Sequence, residues 1–415
     1  MRKIFSSIDI GSSFIKIIVL EELNNKLNVL SSINYPSKGI KNGLIIDDNK
    51  VIESVGKAYD EIDKSLGIKV DKAILSVPIN NAKYTLSNGY TTITSSDKLI
   101  TSKDILNSLQ ASVYNKIEDS MELVTVMPIK YIIDDKAEVK NPKGIRAEKL
   151  TVYSMMVTAP KKTIYRYINA LSQNGIEVVD LLFNSIGDYY CFKEKDFDEE
   201  CVAVVNIGSS KTELTTFNKG IITNSTLIQD GASLIEEDIS YVYNIDIEKA
   251  KKIKEMFLVI DKNFASSNEI YETLDKSNIK VKINQFEVSE IAENKLREIL
   301  EKAKKELNLL TKKEIRYIIV TGGIGNIPGF DSVVLDVFKD KAIVKSIDVI
   351  GIRNNSYSSA YGMIRYFINK LKIRGREYTM FNEDKQYKLI ESKKEDENNF
   401  KISKLFGYFF DNKEE

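Results

Sequence analysis

Two stretches of this chain carry the residue types that hold phosphates. Residues 7–20 read SIDIGSSFIKIIVL and residues 204–217 read VVNIGSSKTELTTF. Each is an apolar run, then Asp or Asn, then Ile-Gly-Ser-Ser, then a second strand-like run. The glycine permits a tight turn with close backbone approach, so each reads as a β-hairpin. Face to face, the two turns could grip one polyphosphate through backbone N–H groups and through the hydroxyls of Ser12, Ser13, Ser209 and Ser210. Loops of this shape usually carry an aspartate just before the glycine, where it can organise a magnesium ion. Asp9 stands there in the first copy, but Asn206 in the second. A third turn, Gly322-Gly323-Ile324 after the apolar run RYIIVT, lets a flat ring such as adenine lie against the backbone.

The composition limits what else could act. The chain has no histidine and no tryptophan, which excludes an imidazole base, a Ser-His pair and a histidine metal site. Basic and acidic residues balance at 60 each, so no global field recruits nucleic acid, and none is expected as a partner. Cys191 and Cys201 are too few for a disulfide framework and suit buried thiols in a reducing cytoplasm. No signal peptide is read at the N-terminus, and no apolar run is long enough to span a bilayer.

The positioning elements follow from these turns. With 415 residues the chain needs two or more lobes, and a hydrophobic content of 43% can fill their cores. Two like hairpins half a chain apart imply a duplicated α/β fold with one hairpin per lobe. Between the second hairpin and the Gly-Gly turn, residues 289–310 repeat apolar side chains at helical spacing, from Ile291 through Leu296, Ile299, Leu300, Ala303 and Leu307 to Leu310.

Two phosphate hairpins followed by Thr-Gly-Gly resemble the actin and heat-shock-chaperone ATPase superfamily. Within it the chain is similar to the FtsA family, from about residue 3 to 368 and again at the extreme C-terminus. Residues 35–58 (YPSKGIKNGLIIDDNKVIESVGKA) resemble the segment after the family's first hairpin, and 356–366 (SYSSAYGMIRY) its closing helix. Residues 126–152, with Asn-Pro-Lys-Gly, look like the family's own inserted subdomain, called 1C, which takes the place of the actin 1B subdomain. The resemblance implies a duplicated actin-like, ribonuclease-H-like two-lobe fold. Core 1A would be 1–83 and 163–195, with 1C at 84–162. Core 2A would be 196–231 and 311–370, the latter including the crossing helix, with a helical subdomain 2B at 232–310.

It also implies ATP and Mg2+ as ligands. Asp9, Gly11, Ser12 and Ser13 would form the first phosphate loop, with Asp9 ordering waters around the metal. Asn206, Gly208, Ser209 and Ser210 would form the second loop, Gly322, Gly323 and Ile324 the adenine shelf, and Lys254 part of the ribose helix. Three positions depart from the family. Asn184 and Asn206 stand where carboxylates are expected, and Lys251 replaces the glutamate that holds the sugar hydroxyls. A carboxylate that orients the attacking water contributes about 10²- to 10⁴-fold to rate, so binding with weak or absent hydrolysis is expected and no catalytic residue is assigned.

From about 371 to 399 the sequence is polar, mixed in charge and without period, as a linker would be. Residues 400–415 (FKISKLFGYFFDNKEE) place Ile402, Leu405, Phe406, Phe409 and Phe410 on one helical stripe, with Lys401 and Lys404 at its margins. Such a helix suits either a membrane interface, with lysines at the headgroups, or docking back on the body or on another copy. The resemblance adds the partners: the C-terminal peptide of FtsZ near Lys295, further copies in a head-to-tail polymer, and lipid at the cytoplasmic side of the division septum. The rival readings are a related actin-like adaptor of pilus machinery, and an active ATPase or phosphotransferase on the same fold.

Overall fold

The two Gly-Ser-Ser hairpins are the inner strands of two five-stranded sheets. The computed structural model describes residues 2–385 apart from 376 and 383. The chain opens with the meander β1 (Lys3–Ile10), β2 (Phe14–Leu23) and β3 (Lys26–Pro36). A small pair, β4 (Ile40–Lys41) and β5 (Leu44–Ile45), leads into α1 (Asp48–Leu66) and then β6 (Lys72–Val77), which runs parallel to β1. β1 is covered on both faces, and even its polar residues Ser6, Ser7 and Asp9 are buried. α1 starts at Asp47, whose side chain accepts from the Lys50 amide, and stops at Gly67 with φ 71°.

A second sheet is inserted next. β7 (Lys83–Thr92), α2 (Ser102–Val113), β8 (Met121–Ile133), β9 (Ala137–Val139) and β10 (Lys149–Pro160) give the strand order β7-β10-β8-β9, with its own apolar cluster under α2. The chain then returns through α3 (Lys161–Ser172) to β11 (Glu177–Phe183), completing the first sheet as β11-β6-β1-β2-β3. α4 (Asn184–Phe192) follows and carries the chain toward the second lobe.

That lobe repeats the plan. β12 (Cys201–Ile207), β13 (Thr212–Asn218) and β14 (Ile221–Ile228) form the meander, followed by α5 (Ser233–Val242) and α6 (Ile247–Met256). The hairpin β15 (Ile270–Leu274) and β16 (Lys280–Asn284) precedes the long α7 (Gln285–Leu310), and β17 (Tyr317–Thr321), α8 (Phe330–Phe338) and β18 (Ala342–Ile343) close the sheet as β14-β13-β12-β17-β18. α7 buries Leu296, Ile299, Leu300, Ala303 and Leu307 of the expected stripe and adds Val288 and Ala292, while Ile291 and Leu310 at the stripe's ends are half-buried. The region expected to be helical, 232–310, therefore also holds a two-stranded ribbon. Its strands are only five residues each and largely exposed, too short and polar for their alternation to stand out.

Helix α9 (Ser358–Arg374) crosses between the lobes and packs on α4. The crossing is close because of two glycines. A methyl group on Gly362 would overlap the Gly187 carbonyl, and one on Gly187 would overlap the Ser359 carbonyl. Buried Lys370 on α9 pairs with buried Asp180 of β11 at 2.7 Å. Tyr189 of α4 stacks on Phe217 of β13 with centroids 4.2 Å apart, so one apolar cluster runs from the first lobe into the second. The linker expected from 371 starts later than its polarity suggests. α9 continues to Arg374, and beyond it the Met380 amide donates to Ile4 at 2.9 Å while Met380 and Phe381 are buried. Two apolar residues in a polar stretch carry no period that could announce this. The inserted sheet also touches the second lobe, where the Tyr84 hydroxyl on β7 bonds Ser225 of β14 at 2.6 Å.

The glycine crossing gives a direct test of the packing. Gly362→Ala is expected to lower the unfolding free energy by about 2–3 kcal/mol, the usual cost of forcing a group into a filled core. Gly323→Ala, whose Cβ would meet only the Ser356 side chain at 4.0 Å, should change it far less. Urea denaturation of both variants makes the comparison.

Candidate functional site

A cavity of about 440 Å³ lies where the two hairpins face one another. Every residue that the sequence marked for phosphate, ring or ribose contact lines it. Asp9, Gly11, Ser12 and Ser13 come from the β1–β2 turn, and Asn206, Gly208, Ser209 and Ser210 from the β12–β13 turn. Gly322, Gly323 and Ile324 follow β17, Lys254 lies on α6, and Asn184 begins α4.

The two turns are built alike. The Gly11 amide donates to the Phe14 carbonyl at 3.0 Å, and the Gly208 amide to the Lys211 carbonyl at 2.9 Å. Those two N–H groups close the hairpins, which leaves the serines to meet a ligand. The turns also touch, since Ser210 Oγ donates to Ser12 Oγ at 3.0 Å. Gly322, with φ 120°, lies so close to β12 that any side chain there would strike the Ile207 carbonyl. The Gly-Gly turn is thereby pressed against the second phosphate turn.

Register explains which charges reach the cavity. In the first hairpin Asp9 pairs across from Lys16, and in the second Asn206 pairs across from Glu213. Asp9 accepts from Lys16 Nζ at 3.2 Å and from Ser76 Oγ at 3.0 Å. Buried Glu213 pairs with Lys211 at 2.6 Å, and its second oxygen has no partner among the described residues. Glu236 of α5 bonds Lys254, and Lys251 lies 5.0 Å over the Phe14 ring. Lys16, Lys211, Glu213, Glu236 and Glu255 all line the cavity and were missed by sequence reasoning. The hairpin register could have found two of them, because it places residue 16 opposite 9 and residue 213 opposite 206.

Acids and lysines are balanced around this space, which suits a polyanion together with its counter-cation better than a bare polyanion. The available donors are oxygens: Asp9, Asn206, Glu213 and the unpartnered Oδ1 of Asn184. Such a set fits a hard ion that keeps several waters. Among the described residues, no group of three or more acids or cysteines stands close enough to hold a metal directly.

Behind the cavity lies Asp188, another residue no motif revealed. It is fully buried, and it accepts from Ser358 Oγ at 2.6 Å, Ser359 Oγ at 2.8 Å and Asn206 Nδ2 at 2.6 Å. Burial pushes its carboxyl up to about 7, against the downward pull of those three donors.

A second, shallower groove on the other face of α5 and α7 is lined by Asp238, Tyr241, Val242, Ile291, Asn294, Lys295 and Glu298. Lys295 bridges Asp238 at 3.3 Å and Glu298 at 2.9 Å. Hydrogen bonds from Lys302 and then Lys295 hold the Glu298 carboxyl down to about 2. The stripe of Ile402, Leu405, Phe406, Phe409 and Phe410 lies outside the described residues. Among those described, no helix is long and apolar enough to cross a membrane.

Residues 203–362 match the family model of the cell division protein FtsA, and residues 80–158 match that of the SHS2 domain inserted in FtsA. The two matches together span more than half of the chain and include both the second phosphate turn and the inserted sheet. The chain belongs to the FtsA family. It is therefore a cell division protein of the actin-like fold. It is 29% identical over 377 residues to the cell division protein FtsA of Bacillus subtilis, covering 90% of this chain and 86% of that one. With FtsA of Enterococcus hirae it shares 23% identity, covering 88% and 83%. Among solved structures it superposes on the PilM–PilN type IV pilus biogenesis complex with TM-score 0.58 at 12% identity, covering 87% of this chain and 98% of that one. MreB5 of Spiroplasma citri bound to ADP gives TM-score 0.53 at 13% identity, covering 89% and 97%. These structural likenesses carry the fold alone. The family matches favour division over the pilus reading.

The buried ion pair offers a quantitative check on the site. Lys211→Met strands the Glu213 carboxylate in the wall and is expected to cost about 3–5 kcal/mol of stability. Adding Glu213→Leu should return most of it. A double-mutant cycle by chemical denaturation measures both steps.

Proposed function

We propose that this FtsA-family chain is an ATP-binding adaptor that tethers FtsZ filaments to the inner face of the cytoplasmic membrane at the division site. The observation that carries the nucleotide part is the convergence of both serine turns and the Gly322–Gly323 turn on one cavity. The adenine lies on the glycine turn, and the phosphates lie between Ser12, Ser13, Ser209 and Ser210. Asp9 and the Asn206 carbonyl would hold Mg2+ through its waters, and the ion would neutralise part of the phosphate charge. Lys254 is tied to Glu236 and steadies the ribose end. Lys251, over Phe14, cannot accept from sugar hydroxyls as a glutamate would.

Turnover is weak in this reading. Asn184 and Asn206 supply carbonyl oxygens where a base or water-orienting carboxylate would act, and that change costs about 10²- to 10⁴-fold in rate. ATP then serves as a structural ligand that holds the lobes together. The division into cores 1A and 2A with 1C and 2B inserted is part of the same proposal, with the 1C sheet serving head-to-tail polymerisation.

The groove beside Lys295 takes the FtsZ C-terminal peptide. Its apolar side chains, Tyr241, Val242 and Ile291, are flanked by charges that can fix a peptide's direction. The segment 400–415, with its sequence pattern of one apolar stripe, anchors in the membrane interface, and assembly multiplies its modest affinity.

Calorimetry with Mg2+ and ATP is expected to show saturable binding, while phosphate release from the same sample stays near background. Rapid release would overturn the structural-ligand reading, and absence of binding would overturn the nucleotide reading. For the partner site, Lys295→Glu is expected to weaken FtsZ-peptide binding by about tenfold, the effect of 1.4 kcal/mol. A wild-type protein that ignores the peptide would favour a pilus-type partner. Co-sedimentation with anionic vesicles should be lost when the chain ends at residue 399.

A further inference from the structure

Asp188 ties together the parts that must move if the cavity opens. It lies one helical turn after Asn184 on α4 and touches the start of α9 through Ser358 and Ser359. Ser358 in turn bonds Thr321, the last residue of β17, at 3.2 Å. The remaining contact is with the second phosphate strand, where Asn206 Nδ2 lies 2.6 Å from Asp188 Oδ2 and 3.5 Å from Ser359 Oγ.

A side-chain amide has a donor end and an acceptor end, whereas an ionised carboxylate offers acceptors only. Asn206 turns its NH₂ toward Asp188, the orientation that satisfies the ionised form. Its carbonyl oxygen is left on the opposite branch of the amide, and Asn206 lines the cavity. An aspartate at 206 would set a second carboxyl against Asp188 at hydrogen-bond distance, a contact that needs a shared proton where the amide needs none.

We propose that Asp188 is a positioning residue for the phosphate end of the site, holding Asn206 so that a neutral carbonyl oxygen faces the hydrated magnesium ion, and that this pairing is why residue 206 is an amide. The carboxylate nearest to Asn206 stands one layer back, on α4. For its ligand this assignment rests on the nucleotide reading above; for the pairing itself it does not.

Four proteins test it: the natural chain, Asn206→Asp, Asp188→Asn, and the exchanged double variant. Urea unfolding without nucleotide reads the pairing. Asn206→Asp should raise the unfolding equilibrium constant by roughly ten- to a hundredfold, the cost of a buried polar group facing the wrong partner. The exchange should bring it back toward the natural value. If Asn206→Asp does not fold, recovery of a folded protein in the double variant carries the same information. Effects that merely add would overturn the pairing.

Calorimetry with ATP, in Mg2+ and in chelator, reads the positioning. The ratio of the two affinities should rise in the exchanged variant, which restores a charge facing the ion. It should fall in Asp188→Asn, which frees the amide to turn. A ratio unchanged across all four proteins would overturn the positioning role. Should the natural chain bind no ATP under either condition, the nucleotide reading fails, and with it the positioning role, while the unfolding comparison alone still decides the pairing.

Discussion

The structure depends on the backbone contact between α4 and α9. Two glycines, Gly187 and Gly362, let the helices approach until any side chain at either position would overlap a carbonyl. That proximity brings Ser358 and Ser359 onto Asp188, sets Tyr189 against Phe217, and keeps the end of β17 beside the phosphate turns. If the helices stood farther apart, the apolar cluster that runs between the lobes would open and the hairpins would not share one cavity. The chemistry of the site is thus a consequence of a packing distance.

Within that frame the cavity manages charge by pairing. Each hairpin presents an acid with a lysine beside it, Asp9 with Lys16 and Glu213 with Lys211, and α5 and α6 add Glu236 with Lys254. Buried charges held this way keep their geometry without a ligand, because leaving either partner alone would be costly. A polyphosphate with its cation can enter such a wall without creating a large uncompensated field. Sites that rely on unpaired lysines must instead attract and neutralise in one step.

Much of this was legible in the sequence, and the reasons for the rest are specific. The Gly-Ser-Ser turns, the Gly-Gly turn and the α7 stripe showed themselves because turns need particular residues and helices impose a period. Glu213 and Lys16 were hidden because their importance comes from register, which appears only when two strands are paired. Asp188 was less visible still: its partners lie 18, 170 and 171 residues away, and no local pattern can bring them together. The β15–β16 ribbon and the buried Met380 and Phe381 escaped because short, mostly polar segments carry too little apolar signal.

The bond between Tyr84 and Ser225 has a mechanical meaning. It joins an edge strand of the inserted sheet to an edge strand of the second lobe's sheet, whose central strand carries the second phosphate turn. The inserted sheet is rooted in the first lobe by its chain connections, yet it is latched to the second by this hydroxyl pair. The lobes cannot swing apart without either breaking that latch or dragging the sheet along. The inserted sheet thus spans both lobes, held to one by covalent chain and to the other by a single pair of hydroxyls.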